Sequence, residues 1–124
     1  MSSPAKKESA LDVTDRVPPR IVALFERIMT EARTAVTAVG AQLYVVNLPG
    51  RRRFVNTAGR VSQELRRARV FAVLARLGIP VIDTIPAFAA HPDPASLFYS
   101  HYTEAGNAVV ARETLRALEQ DGTN

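Results

Sequence analysis

Apolar residues recur at helical spacing in three stretches of the chain, and each stretch ends at a recognisable boundary. The first begins behind Pro18 and Pro19, runs from Ile21 to Val39 and stops at Gly40, because proline suits a first helical turn and glycine suits a helix end. The second spans about residues 60–77, and the third about 103–119. Each has one apolar stripe, so three helices with one buried face are predicted.

Two short apolar runs lie between these helices, at residues 42–48 and 79–85. Both are rich in β-branched residues and apolar on successive positions, a pattern typical of parallel strands buried on both faces. Pro80 suits the start or edge of the second strand. The order of elements is therefore helix, strand, helix, strand, long loop, helix. This order predicts an α/β fold in which the two strands are parallel and joined by a right-handed crossover.

The remaining parts of the chain fix the predicted domain limits. Residues 1–17 are polar and without periodicity, which predicts a mobile tail, and residues 18–120 are predicted to form one α/β domain. A sheet of two strands is small and leaves apolar edges unpaired. We therefore expect that edge to be covered by a missing N-terminal half, by another copy of the chain in a homo-oligomer, or by the tail.

Composition and charge narrow the classes of function. The net charge of +4 comes mainly from arginine, clustered at 51–53 and 66–69. We interpret these clusters as a solvated loop and helix face, and since only Phe54 accompanies the triplet, nucleic-acid binding is poorly supported. The chain has no cysteine and two histidines without metal-ligand spacing, so no metal or cofactor is expected.

Targeting signals are absent from the printed sequence. No apolar run approaches the ~20 residues of a membrane span. Lys6 and Lys7 are not followed by the apolar segment of a secretory signal, so the default expectation is a cytoplasmic protein.

His101 is the residue best placed for chemistry. It lies in the proline-rich loop that leaves the carboxyl end of the second strand, where ligands bind in open α/β sheets. Thr103 is predicted to cap the helix that follows. Two interpretations stay open: a general base that transfers protons, or a solvent-exposed histidine without a role. His91, in the same loop, is interpreted as having no role.

The segment around His101 resembles the C-terminal motif of the SGNH (GDSL-type) hydrolases, and the resemblance covers about residues 40–118. In that family a histidine just before the last helix is the general base of a Ser-His or Ser-His-Asp arrangement. The resemblance implies a three-layer α/β/α, flavodoxin-like domain and an ester substrate. The matching residues are Leu43–Val46, Leu48, Pro49, Leu77–Asp83, Pro86, Phe88, Asp93, Pro94, Ser96–Phe98, His101, Tyr102, Gly106 and Ala111.

Several parts of the family pattern are not found in this chain. It has no Gly-Asp-Ser nucleophile motif and no Gly-x-Asn-Asp segment, and Phe98 and Tyr99 stand where the family usually has an aspartate. We therefore expect an incomplete domain: the C-terminal portion of an ester hydrolase or acyl transferase that carries the base and is inactive alone. The alternative is a non-catalytic remnant or interaction module of the same fold.

Other residues near His101 are weaker candidates. Asp93 is expected to cap a turn, Glu104 to favour the start of the last helix, and Asp83 to bond loop amides. Ser96 and Ser100 are close to His101 in sequence, but neither lies in the strand-to-helix turn that exposes a nucleophilic hydroxyl.

Overall fold

The computed structural model describes residues 17–122 and has mixed α/β architecture. The predicted tail at 1–17 lies, apart from Val17, outside the described residues. In chain order the elements are α1 (Pro19–Ala38), β1 (Val45–Asn47), a short 3₁₀ helix (Arg51–Phe54), α2 (Thr57–Arg76), β2 (Val81–Asp83), α3 (Ile85–Ala89), a second 3₁₀ helix (Pro94–Leu97) and α4 (Glu104–Gly122).

The two strands pair in parallel, as the order of elements predicted. Val45 is opposite Val81 and Asn47 is opposite Asp83. The strands are shorter than the apolar runs, and the Pro80 carbonyl, just before β2, accepts the Val45 N–H at 3.0 Å. The prediction that both strands are buried on both faces was wrong for most of their residues. The residues of β1 are all partly exposed, and within β2 only Ile82 is buried. Between residues 17 and 122 these two strands form the whole sheet.

The long helices begin and end where local chemistry requires. Asn56 caps α2 by accepting the Gly59 N–H through its side chain. Gly40 and Gly78 follow α1 and α2 with φ of 76° and 67°, the left-handed region in which glycine carries no Cβ penalty. The predicted stops of both helices are therefore confirmed.

The segment between β2 and α4 was predicted as an extended loop, and that prediction was wrong. It folds into α3 and the second 3₁₀ helix, because Pro86 fits the first turn of α3 and Phe88 reaches the core. Phe88, Leu97 and Val109 form a buried cluster there. Gly106 of α4 allows this packing, since a Cβ at that position would collide with the carbonyl oxygen of Leu97.

Between residues 17 and 122, no helix combines the length and the apolar character needed to cross a bilayer.

Candidate functional site

His101 lies in a narrow loop that is closed by an antiparallel bridge between Phe98 and Tyr102. Within this loop the Tyr99 N–H donates to the His101 carbonyl oxygen at 2.6 Å. The His101 side chain is exposed, and its imidazole makes no hydrogen bond to any residue in the 17–122 range. The ring is therefore accessible to a reacting group from solvent or from another chain.

The loop is attached to the carboxyl end of the sheet through the neighbour of His101. The Tyr102 hydroxyl donates a hydrogen bond to the carbonyl of Pro49, which lies two residues beyond the end of β1. Burial raises the pKa of Tyr102, so its hydroxyl keeps the proton that it donates. The predicted location of His101 on the rim at the carboxyl ends of the strands is supported by this bond.

Thr103 caps α4 as predicted. Its hydroxyl accepts the Gly106 N–H at 3.1 Å, and its own N–H donates to the Leu97 carbonyl at 3.0 Å. The cap therefore stabilises the first turn of α4. It also sets the residue at which the His101 loop ends.

An aromatic cluster packs around the two residues that close the loop, Phe98 and Tyr102. The rings of Phe98 and Tyr102 are 5.0 Å apart between centroids, and Phe88 lies 5.5 Å from Phe98 and 5.6 Å from Tyr102. Phe54 joins the cluster 5.9 Å from Phe98. Tilted aromatic pairs at these separations stabilise a fold beyond the effect of their buried area. These ring contacts therefore stabilise the position of the loop.

The carboxylates near His101 in sequence do not bond to it. Asp93 caps through its carbonyl, which accepts the Ser96 N–H at 3.0 Å and the Ser96 hydroxyl at 2.6 Å, so the expected side-chain cap was wrong. Glu104 is exposed in the first turn of α4, as expected. Asp83 bonds the Ile85 N–H at 3.2 Å, also as expected.

The two remaining candidates in the loop have local or no contacts. Nδ1 of His91 accepts the Asp93 N–H at 3.0 Å, so this ring stabilises a turn of the loop. Ser100 is exposed. Among residues 17–122, no serine hydroxyl forms a hydrogen bond with His101.

A polar cluster that the sequence analysis missed lies where both strands end. The Asn47 side-chain amide donates to Asp83 at 3.0 Å, and Arg67 forms an ion pair with the other oxygen of the same carboxylate. Burial opposes ionisation of Asp83, but the hydrogen bonds from Asn47, Arg67 and the Ile85 N–H outweigh it and lower its pKa. Asp83 is therefore held as a carboxylate.

Arg53 extends this cluster toward α2. It pairs with Glu64, which also binds Arg67 at 3.2 Å, and its side chain is only 7% exposed. Desolvation and the nearby charge of Arg67 lower the pKa of Arg53. Arg51 and Arg52 are exposed, as a solvated loop predicts, but for Arg53 that interpretation was wrong. The polar residues that end both strands, Asn47 and Asp83, were the signal that could have located this cluster.

Taken together, the described fold belongs to the α/β class, with a histidine loop and an arginine cluster near the carboxyl ends of the strands. Comparisons with models of known protein families, with curated proteins and with solved structures found no match. Among residues 17–122, histidine, aspartate and glutamate side chains form no group of three or more that could hold a metal ion.

Proposed function

We propose that this chain is the C-terminal portion of an SGNH-like ester hydrolase or acyl transferase, with His101 as the general base. The proposal includes a three-layer α/β/α domain completed by segments outside these 124 residues. The observation that carries it is the bond from Tyr102 to Pro49, which ties the loop of the exposed His101 to the carboxyl end of β1. Catalytic loops of open α/β sheets occupy this edge.

The chemistry would be acyl transfer through a serine supplied from elsewhere. The free nitrogen of the His101 imidazole would take the proton of that hydroxyl as its oxygen forms a bond to the acyl carbon. It would then return the proton to the alcohol that leaves when the ester C–O bond breaks. Because His101 has no carboxylate partner among residues 17–122, a Ser-His arrangement fits better than a Ser-His-Asp triad.

The chain alone should lack this activity. A positioned base typically contributes on the order of 10²–10⁴-fold, but only with a nucleophile to deprotonate. The oxyanion donors and the Gly-Asp-Ser serine of the family have no counterpart in this sequence. Groups that act as a unit lose almost all of their effect when one is absent.

The test is hydrolysis of short-chain nitrophenyl esters by the purified chain, its His101→Ala variant and a matched His91→Ala variant. We expect none of the three to exceed the rate in buffer. Turnover by the wild type that disappears only in His101→Ala would contradict the proposal that the nucleophile lies outside this chain. It would direct attention to a serine within it.

A second candidate function, a non-catalytic interaction module, is favoured by the apolar face of α1. Ile21, Leu24 and Ile28 lie on one side of this helix and are 45%, 50% and 52% exposed. Among the described residues of α1, none is fully buried. An apolar row left half in water on a helix is a common feature of association surfaces. The measurement that tests it is the oligomeric state of the chain in solution.

A further inference from the structure

A cavity of about 270 Å³ lies beside the carboxyl ends of β1 and β2, next to the polar cluster of Asn47, Asp83, Glu64 and Arg53. One part of its wall is cationic and the other part is apolar. The cationic part is formed by Arg53, Arg66 and Arg67, and the apolar part by Leu48, Val70 and Ile85.

Two guanidinium nitrogens in this wall have no hydrogen-bond partner among residues 17–122. They are Nη1 of Arg53 and Nε of Arg67, and both atoms are buried. A buried donor without a partner is energetically unfavourable, and such donors are few in folded proteins. Both nitrogens belong to side chains that line the same cavity, so an acceptor bound in that cavity is the partner that would satisfy them.

The charges around the cavity do not balance. Glu64 and Asp83 are bonded to Arg53 and Arg67, whereas Arg66 makes no hydrogen bond or ion pair with the part of the chain that the structure describes. Three guanidinium groups thus face two carboxylates. Desolvation, and after it the charge of Arg67, lower the pKa of Arg53, because both disfavour its cationic form. A bound anion would offset both effects.

We propose that this cavity binds a small organic oxyanion, with a carboxylate or phosphate group on Arg53, Arg66 and Arg67 and an apolar part against Leu48, Val70 and Ile85. Guanidinium groups present rigid pairs of donors that match the oxygens of these two anions, and they remain charged at physiological pH. The volume suits a molecule of a few non-hydrogen atoms. This site stands independently of any role of His101.

The test is an NMR titration of the full chain that follows the Nε–H signal of Arg67 and the backbone amide of Gly50, which also lines the cavity. Sodium phosphate and sodium butyrate are each compared with sodium chloride at equal ionic strength. We expect saturable shifts of both signals with at least one of the two anions and none with chloride. Tighter binding of phosphate would assign a phosphate ligand, and tighter binding of butyrate a carboxylate with an apolar tail.

Two matched variants make the test specific. Arg66→Gln removes one cation from the wall at an exposed position and should weaken anion binding about fivefold, the upper end of the effect of an exposed ion pair. Arg112→Gln removes the same charge from an exposed position of α4, where Arg112 forms no ion pair with residues 17–122, and should change binding less than about twofold. Equal weakening by both variants, or no saturable shift with either anion, would overturn the proposal.

Discussion

The Tyr102 hydroxyl donates a hydrogen bond to the carbonyl of Pro49, and this one bond joins the loop after the last 3₁₀ helix to the end of β1. The two residues are far apart in sequence, so the bond fixes a tertiary relationship. It holds the backbone beside His101 against the rim of the sheet. The Tyr102 ring packs at the same time on Phe88 and Phe98.

Tyr102→Phe should lower the free energy of unfolding by about 1 kcal/mol, because it removes the bond to Pro49 and keeps the packed ring. Tyr99→Phe is the matched control: its ring is 86% exposed, and its hydroxyl has no partner in the described region. Urea unfolding of the three proteins measures the difference. Equal stability of the two variants would show that the Tyr102 hydroxyl does not hold the loop.

Gly106→Ala should destabilise the fold by about 2 kcal/mol or more, because its Cβ would collide with the carbonyl of Leu97, which also accepts the Thr103 N–H. Gly122→Ala adds a Cβ in open space and should be neutral or slightly stabilising. Thermal unfolding followed by circular dichroism compares the two. A Gly106→Ala protein that melts with the wild type would mean that α4 and Leu97 are not in close contact.

The stability of the chain should fall in acid partly through Asp83. Its pKa in the folded protein is lowered, so the unfolded chain takes up the proton first as pH falls. The contribution is present above the unfolded pKa, near 4, and is lost as pH drops through the lower folded value. Asp83→Asn should therefore show a shallower loss of stability between about pH 5 and pH 2.

The control for that experiment is Asp93→Asn, an exposed residue whose side chain makes no cap. Denaturant unfolding at a series of pH values gives the slopes. The slope of the Asp93 variant should match that of the wild type. An unchanged slope in Asp83→Asn would show that its bonds to Asn47 and Arg67 do not persist in solution.

Self-association is expected to depend on the apolar row of α1. Leu24→Lys places a charge in the middle of that row and should shift the chain toward the monomer. Thr34→Lys, an exposed position on the same helix, changes charge equally and should leave association unchanged. Light scattering across a concentration series measures both. A wild type that stays monomeric at high concentration would remove the support for an interaction module.

The sequence predicts the parts of this fold that depend on local chemistry. The helix stops at Gly40 and Gly78 and the cap at Thr103 follow from short-range pattern, and the parallel pairing of the strands follows from the order of the elements. The burial of Arg53 does not, because it depends on Glu64, a residue of a different helix. A triplet of arginines has the same appearance in sequence whether or not one member folds inward.

The loop before α4 shows the same difference between what local sequence predicts and what contacts between distant residues decide. Three prolines made an extended segment the natural expectation, whereas Phe88 requires a helical turn to reach Leu97 and Val109 in the core. For His101, sequence indicated the edge of the sheet, and the bond from Tyr102 supports it. The serine that the proposed function requires would lie outside this chain, so no pattern within the chain can identify it.

The most direct test of the proposed role of His101 is labelling with a fluorophosphonate, which reacts with activated serines. Cells that naturally produce the chain would carry it tagged as wild type, His101→Ala or His91→Ala, and the labelled serine would be located by mass spectrometry after purification through the tag. We predict a labelled serine on a copurifying polypeptide for wild type and His91→Ala, and none for His101→Ala. Labelling that is absent from the wild type, or equal in all three, would contradict the role of His101 as the base.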